Sequence, residues 1–75
     1  SMSTEQKLER MEVIIESDEF MPNIELAAKK DALSCICEFK AKAKEISLRT
    51  LISVTKIRAT NKANWKALAQ YMLVN

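Results

Sequence analysis

The sequence contains no glycine, no histidine and a single proline, Pro22. Without glycine there is neither a phosphate-cradling P-loop nor a dinucleotide-binding fingerprint, because both need a backbone bare enough to approach phosphate. Tight two-residue hairpins also depend on glycine, so its lack argues for helices joined by short polar loops. Without histidine there is no imidazole base and no His-containing zinc site. No apolar run approaches the length of about 18 residues that marks a membrane span. The start, Ser1-Met2-Ser3-Thr4-Glu5, lacks the basic-then-apolar pattern of a secretory signal. Cysteine is scarce: Cys35 and Cys37 form a C-x-C within an apparent helix. Residues two apart face different sides of a helix. That spacing argues against a metal site, and a disulfide across it would break the helix. Cys37 is expected in the core and Cys35 partly exposed. Free thiols point to a reducing compartment and a cytoplasmic location.

What is present describes one small folded unit. Seventy-five residues, 48% hydrophobic and 29% charged, suit a globular domain rather than a disordered chain. Such a short chain buries only about 60% of its unfolded surface, so its stability is modest. Ser1 ahead of Met2 reads as a residue left by tag removal, which would make the chain a piece of a longer protein. Residues 1–3 are expected to be a disordered start, and 4–75 a single helical domain.

The punctuation predicts a compact all-α bundle of four helices, at about 4–16, 23–43, 47–60 and 64–74. In the first, Ser3 and Gln6 fit a capping box, and Leu8, Met11, Ile14 and Ile15 share a face. A loop follows, in which Pro22 forces residue 21 out of helical geometry. Phe20 and Met21 are expected to tuck against the core. Asn23 is the expected cap of the second helix, with an apolar stripe of Leu26, Leu33, Ile36, Cys37, Phe39 and Ala43. The third helix starts at a cap on Ser47, with Ile46 and Leu51 as a hydrophobic staple. Its apolar side carries Leu48, Leu51, Ile52, Val54, Thr55 and Ala59. Arg49, Ser53, Lys56 and Thr60 fall on the other side. Asn64 is the expected cap of the last helix, whose apolar face is Trp65, Leu68, Ala69 and Met72. Ile57, Tyr71 and Leu73 are expected near the surface.

Charge is unevenly divided. Residues 1–25 hold seven acids and two bases, whereas residues 26–75 hold ten bases and three acids. A basic portion invites an anionic partner such as nucleotide phosphate, nucleic acid or an acidic protein surface.

Three segments carry a resemblance. Ile46-Ser47-Leu48-Arg49-Thr50-Leu51-Ile52, then Lys56-Ile57-Arg58-Ala59, then Asn64-Trp65-Lys66-Ala67-Leu68-Ala69 resemble the C-terminal helical lid of AAA+ ATPases, most of all phage and virus-type members. The earlier helix, loop and Met21-Pro22 entry agree in order. The resemblance implies a lid that closes over nucleotide held by an upstream α/β domain. It implies that Arg49 is the sensor-2 arginine that reaches the terminal phosphates. ATP and Mg²⁺ would then belong to the full-length parent, and the chain alone would bind no cofactor and hydrolyse nothing. Its partners would be its own ATPase domain and neighbouring subunits of a ring. Ser53, Lys56, Lys62 and Lys66 are further candidates for contacts with an anion or a partner.

The residue chemistry is compatible with that role. A guanidinium offers a planar fork of donors and stays charged, and a helix start adds free backbone N–H groups. A cation at that end opposes the helix dipole, a cost with no visible local return. The competing local reading pairs Arg49 with Glu45 across the turn. Two other functions remain open on sequence grounds: a nucleic-acid-binding helical domain and a protein–protein adaptor, with no membrane partner for either.

Overall fold

The computed structural model describes all 75 residues and contains four helices and no strand: α1 Thr4–Ile15, α2 Leu26–Glu38, α3 Leu48–Thr60 and α4 Trp65–Val74. The all-α bundle is as expected, and no helix is long and apolar enough to cross a membrane. The α1 cap forms as a full box. Ser3 Oγ accepts from the Gln6 N–H at 3.2 Å, and the Gln6 side chain accepts from the Ser3 N–H at 2.9 Å.

The centre of the bundle is α2, which packs most extensively on α3 and also meets α1 and α4. Ala28, Ala32 and Ile36 form its buried spine, and small alanine side chains let α3 approach closely. Leu51 and Val54 of α3, Leu8, Met11 and Ile15 of α1, and Ala69 and Leu73 of α4 complete the core. Phe20, Phe39 and Trp65 pack against its rim.

Several boundaries and faces differ from the sequence expectation. The second helix is shorter at both ends than 23–43. Met21 does leave right-handed helical geometry before Pro22, but through a positive φ of 47°. A turn then closes from the Ile24 N–H to the Met21 carbonyl at 3.0 Å. Asn23 is spent in that turn, so the N-cap falls on Glu25, which has extended backbone and no side-chain cap bond. At the other end Phe39 leaves the helix. The N–H groups of Lys42 and Ala43 fold back onto its carbonyl at 3.0 and 2.9 Å. That reversal carries Lys44 to the end of α4, where its N–H donates to the Leu73 carbonyl at 2.9 Å.

The cysteines are exchanged relative to expectation: Cys35 is buried and Cys37 exposed. Of the expected α2 stripe, Leu33 and Ile36 are buried and Phe39 and Ala43 half-buried. Leu26, like Cys37, is exposed, because a helix that must serve three neighbours also turns Ala28 and Ala32 inward. On α3, Leu48 and Ala59 are exposed while Leu51, Val54 and Thr55 are buried, and Ile57 is half-buried. On α4, Leu73 is buried rather than exposed. Leu68 and Met72 lie at the surface, leaving Ala69 with Leu73 as the inner pair. Asn64 occupies the N-cap of α4 but its side chain makes no capping bond.

One buried cation holds the loop before α2. Lys29 is only 5% exposed. Its ammonium donates to the Phe20 carbonyl at 2.5 Å and lies 5.7 Å from the centre of the Phe20 ring. A buried charge needs such compensation, and here it clamps residues 17–25 onto the core.

Candidate functional site

The start of α3 is closed by a full capping box. Ser47 is extended (φ −151°, ψ 173°), and its Oγ accepts from the Thr50 N–H at 3.4 Å. Thr50 Oγ1 accepts in return from the Ser47 N–H at 3.3 Å and donates to the Glu45 carbonyl at 3.1 Å. Ser47 Oγ also donates to Glu45 Oε2 at 2.6 Å. Beneath this box Ile46 and Leu51 are both buried, as the staple requires. The first turn is therefore gripped from inside and from the flank, and the two residues after the cap are turned outward.

Arg49 is the second of these. It is exposed and takes part in no ion pair. The expected pairing with Glu45 does not form, although the two residues line one cavity; one of the Glu45 oxygens, Oε2, accepts from the Ser47 hydroxyl. Arg49 opens onto a surface cavity of about 280 Å³ that Lys44, Glu45, Ser53 and Met72 also line. Lys44 is held there by its backbone bond to Leu73, and its ammonium donates to the Asn75 carbonyl. Two cations, one of them already donating to the Asn75 carbonyl, and a hydroxyl thus meet one carboxylate with one oxygen engaged, at the positive end of a helix dipole. That donor set suits an anionic oxygen.

The other expected contacts do not all gather here. Ser53 is half-buried and lines the same cavity. Lys56 lies two turns beyond Arg49 on the outer face of α3, exposed and unpaired. Lys62 lines a separate cavity near the opposite end of α3, with Asn23 and Arg58. Lys66 is bound to Glu38 at 2.7 Å, and that hydrogen bond and charge raise its pKa above the ordinary 10.5. Lys66 is thereby committed to joining α4 to α2. Arg58 is structural as well: its Nε donates to Asp31 Oδ2 at 2.9 Å, and its guanidinium sits 6.0 Å from the centre of the Trp65 ring. Lys44 was not visible as a site residue. It belongs to the alternating run Lys40-Ala41-Lys42-Ala43-Lys44, and only the chain reversal after Phe39 singles it out.

No three His, Cys, Asp or Glu side chains converge as metal ligands would. Neither thiol is activated. Burial is the main cause that pushes both the Cys35 and Cys37 thiols above their ordinary 9.0, and nearby lysines only partly oppose it. Comparison of the chain with protein-family models, curated proteins and solved structures gives no match.

Proposed function

We propose that this chain is the C-terminal helical lid of an AAA+ ATPase, and that Arg49 reads the terminal phosphates of nucleotide held by a separate α/β domain. The observation that supports this most is the free guanidinium at the rigid start of α3. Its donors are spent on no partner within the chain, and Lys44 and Ser53 stand beside it. A cation at a helix N-terminus is disfavoured by the dipole, so an unpaired arginine there gains most from an external anion. The residues fit a phosphate oxygen: Arg49 supplies a planar fork, Lys44 a point charge and Ser53 a hydroxyl. The nucleotide and its Mg²⁺ would supply the reacting bond. This chain would orient and sense, and by itself it would not hydrolyse ATP.

The mechanism follows from differential contact. A lid whose arginine meets the terminal phosphate in one nucleotide state and loses it in the next changes its preferred angle between the two. The staple and capping box keep Arg49 fixed to the bundle, so a force on the guanidinium moves the lid as a body.

Two measurements test this. The reading frame that encodes the chain should carry G-x-x-x-x-G-K-[ST] upstream, and a frame without it removes the proposal. In that longer protein Arg49→Ala should lower ATPase turnover by about tenfold or more, as the loss of a charged contact to the reacting phosphate does. Helicity should persist and the thermal midpoint should not fall, because Arg49 is exposed and unpaired and its removal relieves a cation at the positive end of the helix dipole. Wild-type turnover in that variant overturns the role given to Arg49. Nucleic-acid binding draws on the same outward face, Arg49 and Lys56. It predicts tight binding of duplex DNA by the isolated chain, weakening steeply with salt.

A further inference from the structure

Acids and bases are segregated around α1. At about 100° per residue, Glu5, Glu9, Glu12 and the C-cap Glu16 fall together on one flank. Lys7 and Arg10 fall on the far side, with Ile14 between them and Met11 alongside. The tertiary structure keeps the two sets apart. Glu12 and Glu16 line a cavity with Lys30 and Leu33 of α2, and Glu5 pairs with Lys40. Lys7 and Arg10 line a different cavity, between α1 and the residues that enter α3.

That second cavity is an open groove of about 230 Å³. It exists because α1 packs on α2 rather than on α3, which leaves a gap beside the α3 entry. Met11 and Ile46 are buried in it, Ile14 is half-buried, and Leu48 and Met2 are exposed. Lys7 and Arg10 are its only charged lining residues, and neither forms an ion pair. The residues three and four places from each along α1 include no acid. Glu45, which accepts from the Ser47 hydroxyl, lines the Arg49 cavity and not this groove. The groove is therefore apolar along its floor and cationic at its rim, and Lys7 is half-buried with no counter-charge.

We propose that this groove docks a segment of another polypeptide in which apolar side chains are flanked by glutamate or aspartate. The apolar floor receives the side chain and removes Leu48 from water. Lys7 and Arg10, about one helical turn apart, receive the carboxylates on either side. The sign of the rim selects acidic sequences over neutral or basic ones. The volume is below the range of about 300–1,000 Å³ that encloses a whole small ligand. The occupant is therefore a side chain carried by a chain that continues beyond the groove. A stable interface takes about 800 Å² from each partner, and one groove of this size supplies less, so the binding is weak and its charge component is screened by salt.

Fluorescence anisotropy with a short labelled peptide, in which leucine and phenylalanine stand among glutamates, tests this. The chain should bind it saturably at low salt and more weakly as salt rises. Glutamines in place of the glutamates, or alanines in place of the apolar residues, should each weaken binding at least about tenfold. Lys7→Glu and Leu48→Ser should do the same with helicity intact. Should Lys7→Glu lose helicity, the fully exposed Arg10→Glu decides in its place. Lys42→Glu makes the same change in net charge outside the groove, and it should alter affinity by no more than about twofold. A peptide that does not bind overturns the proposal, as does a glutamine peptide that binds equally well. Equal losses in Lys42→Glu and Lys7→Glu overturn it too, because they report net charge alone. Binding of dodecanoate or of a DNA oligonucleotide where the peptide fails assigns the groove another occupant and refutes this one. Arg49 is intact in every variant and its cavity shares no lining residue with the groove, so failure here does not touch the phosphate-reading role proposed above.

Discussion

Replacement of Ser47 by alanine is the most informative single change to this fold, because one hydroxyl organises the start of α3. That oxygen accepts from the Thr50 N–H and donates to the Glu45 carboxylate. Losing an N-cap side chain costs about 1 kcal/mol and up to about 2 where further bonds depend on it. The Glu45 contact adds such a bond, so the expected loss is about 1–2 kcal/mol. A domain of this length has about 4–11 kcal/mol in total, so the change removes a measurable share. It should lower the thermal midpoint by about 4–16 °C, at about 4–8 °C per kcal/mol. Urea unfolding followed by far-ultraviolet circular dichroism gives the free energy. Ser47→Asn should recover most of the loss, because asparagine caps as well as serine. Ser47→Asp should recover less, since it sets a second carboxylate beside Glu45. A double-mutant cycle with Thr50→Val should show coupling of at least about 0.5 kcal/mol, because the two side chains cap each other. The reasoning is refuted if Ser47→Ala leaves the midpoint unchanged, or if Ser47→Asn is as unstable as the alanine variant.

Three further outcomes are expected. Leu51→Ala should cost about 2–5 kcal/mol in the same urea assay, because Leu51 is fully buried where α3 meets the core and its loss leaves a cavity. A thiol reagent should label Cys37 in the folded protein and Cys35 only on unfolding, as peptide mapping would show, with Cys37 slower than a free thiol because its pKa is raised. Stability should decline in alkali. The folded state holds the Cys35 and Cys37 protons more tightly than the unfolded chain does, so their contribution falls as pH rises past 9.0. Lys40 and Lys66, raised by their bonds to Glu5 and Glu38, contribute below 10.5 and lose that contribution as pH climbs through their folded values. Urea midpoints that stay flat from neutral pH into strong alkali contradict this linkage.

The elements that were legible in the sequence are those defined by local chemistry. Ser3 with Gln6 announced the first helix, and Ser47 with Ile46 and Leu51 announced the third. A cap and a staple involve residues only three to five apart, whose meeting depends on helical spacing alone. The outward position of Arg49 followed from the same spacing. The number of helices and the all-α class followed from polar breaks and the lack of glycine.

Tertiary structure decided what no local pattern contains. Which side of α2 is buried depended on three neighbours competing for it. The alanine spine won because α3 can approach closely there, and this exchanged the expected places of Cys35 and Cys37. The depth of Leu73, the union of Lys44 with Arg49 beside one cavity, and the commitment of Lys66 and Arg58 to Glu38 and Asp31 all arise between distant residues. Helical periodicity specifies directions around one axis, whereas burial and pairing depend on where the other axes lie.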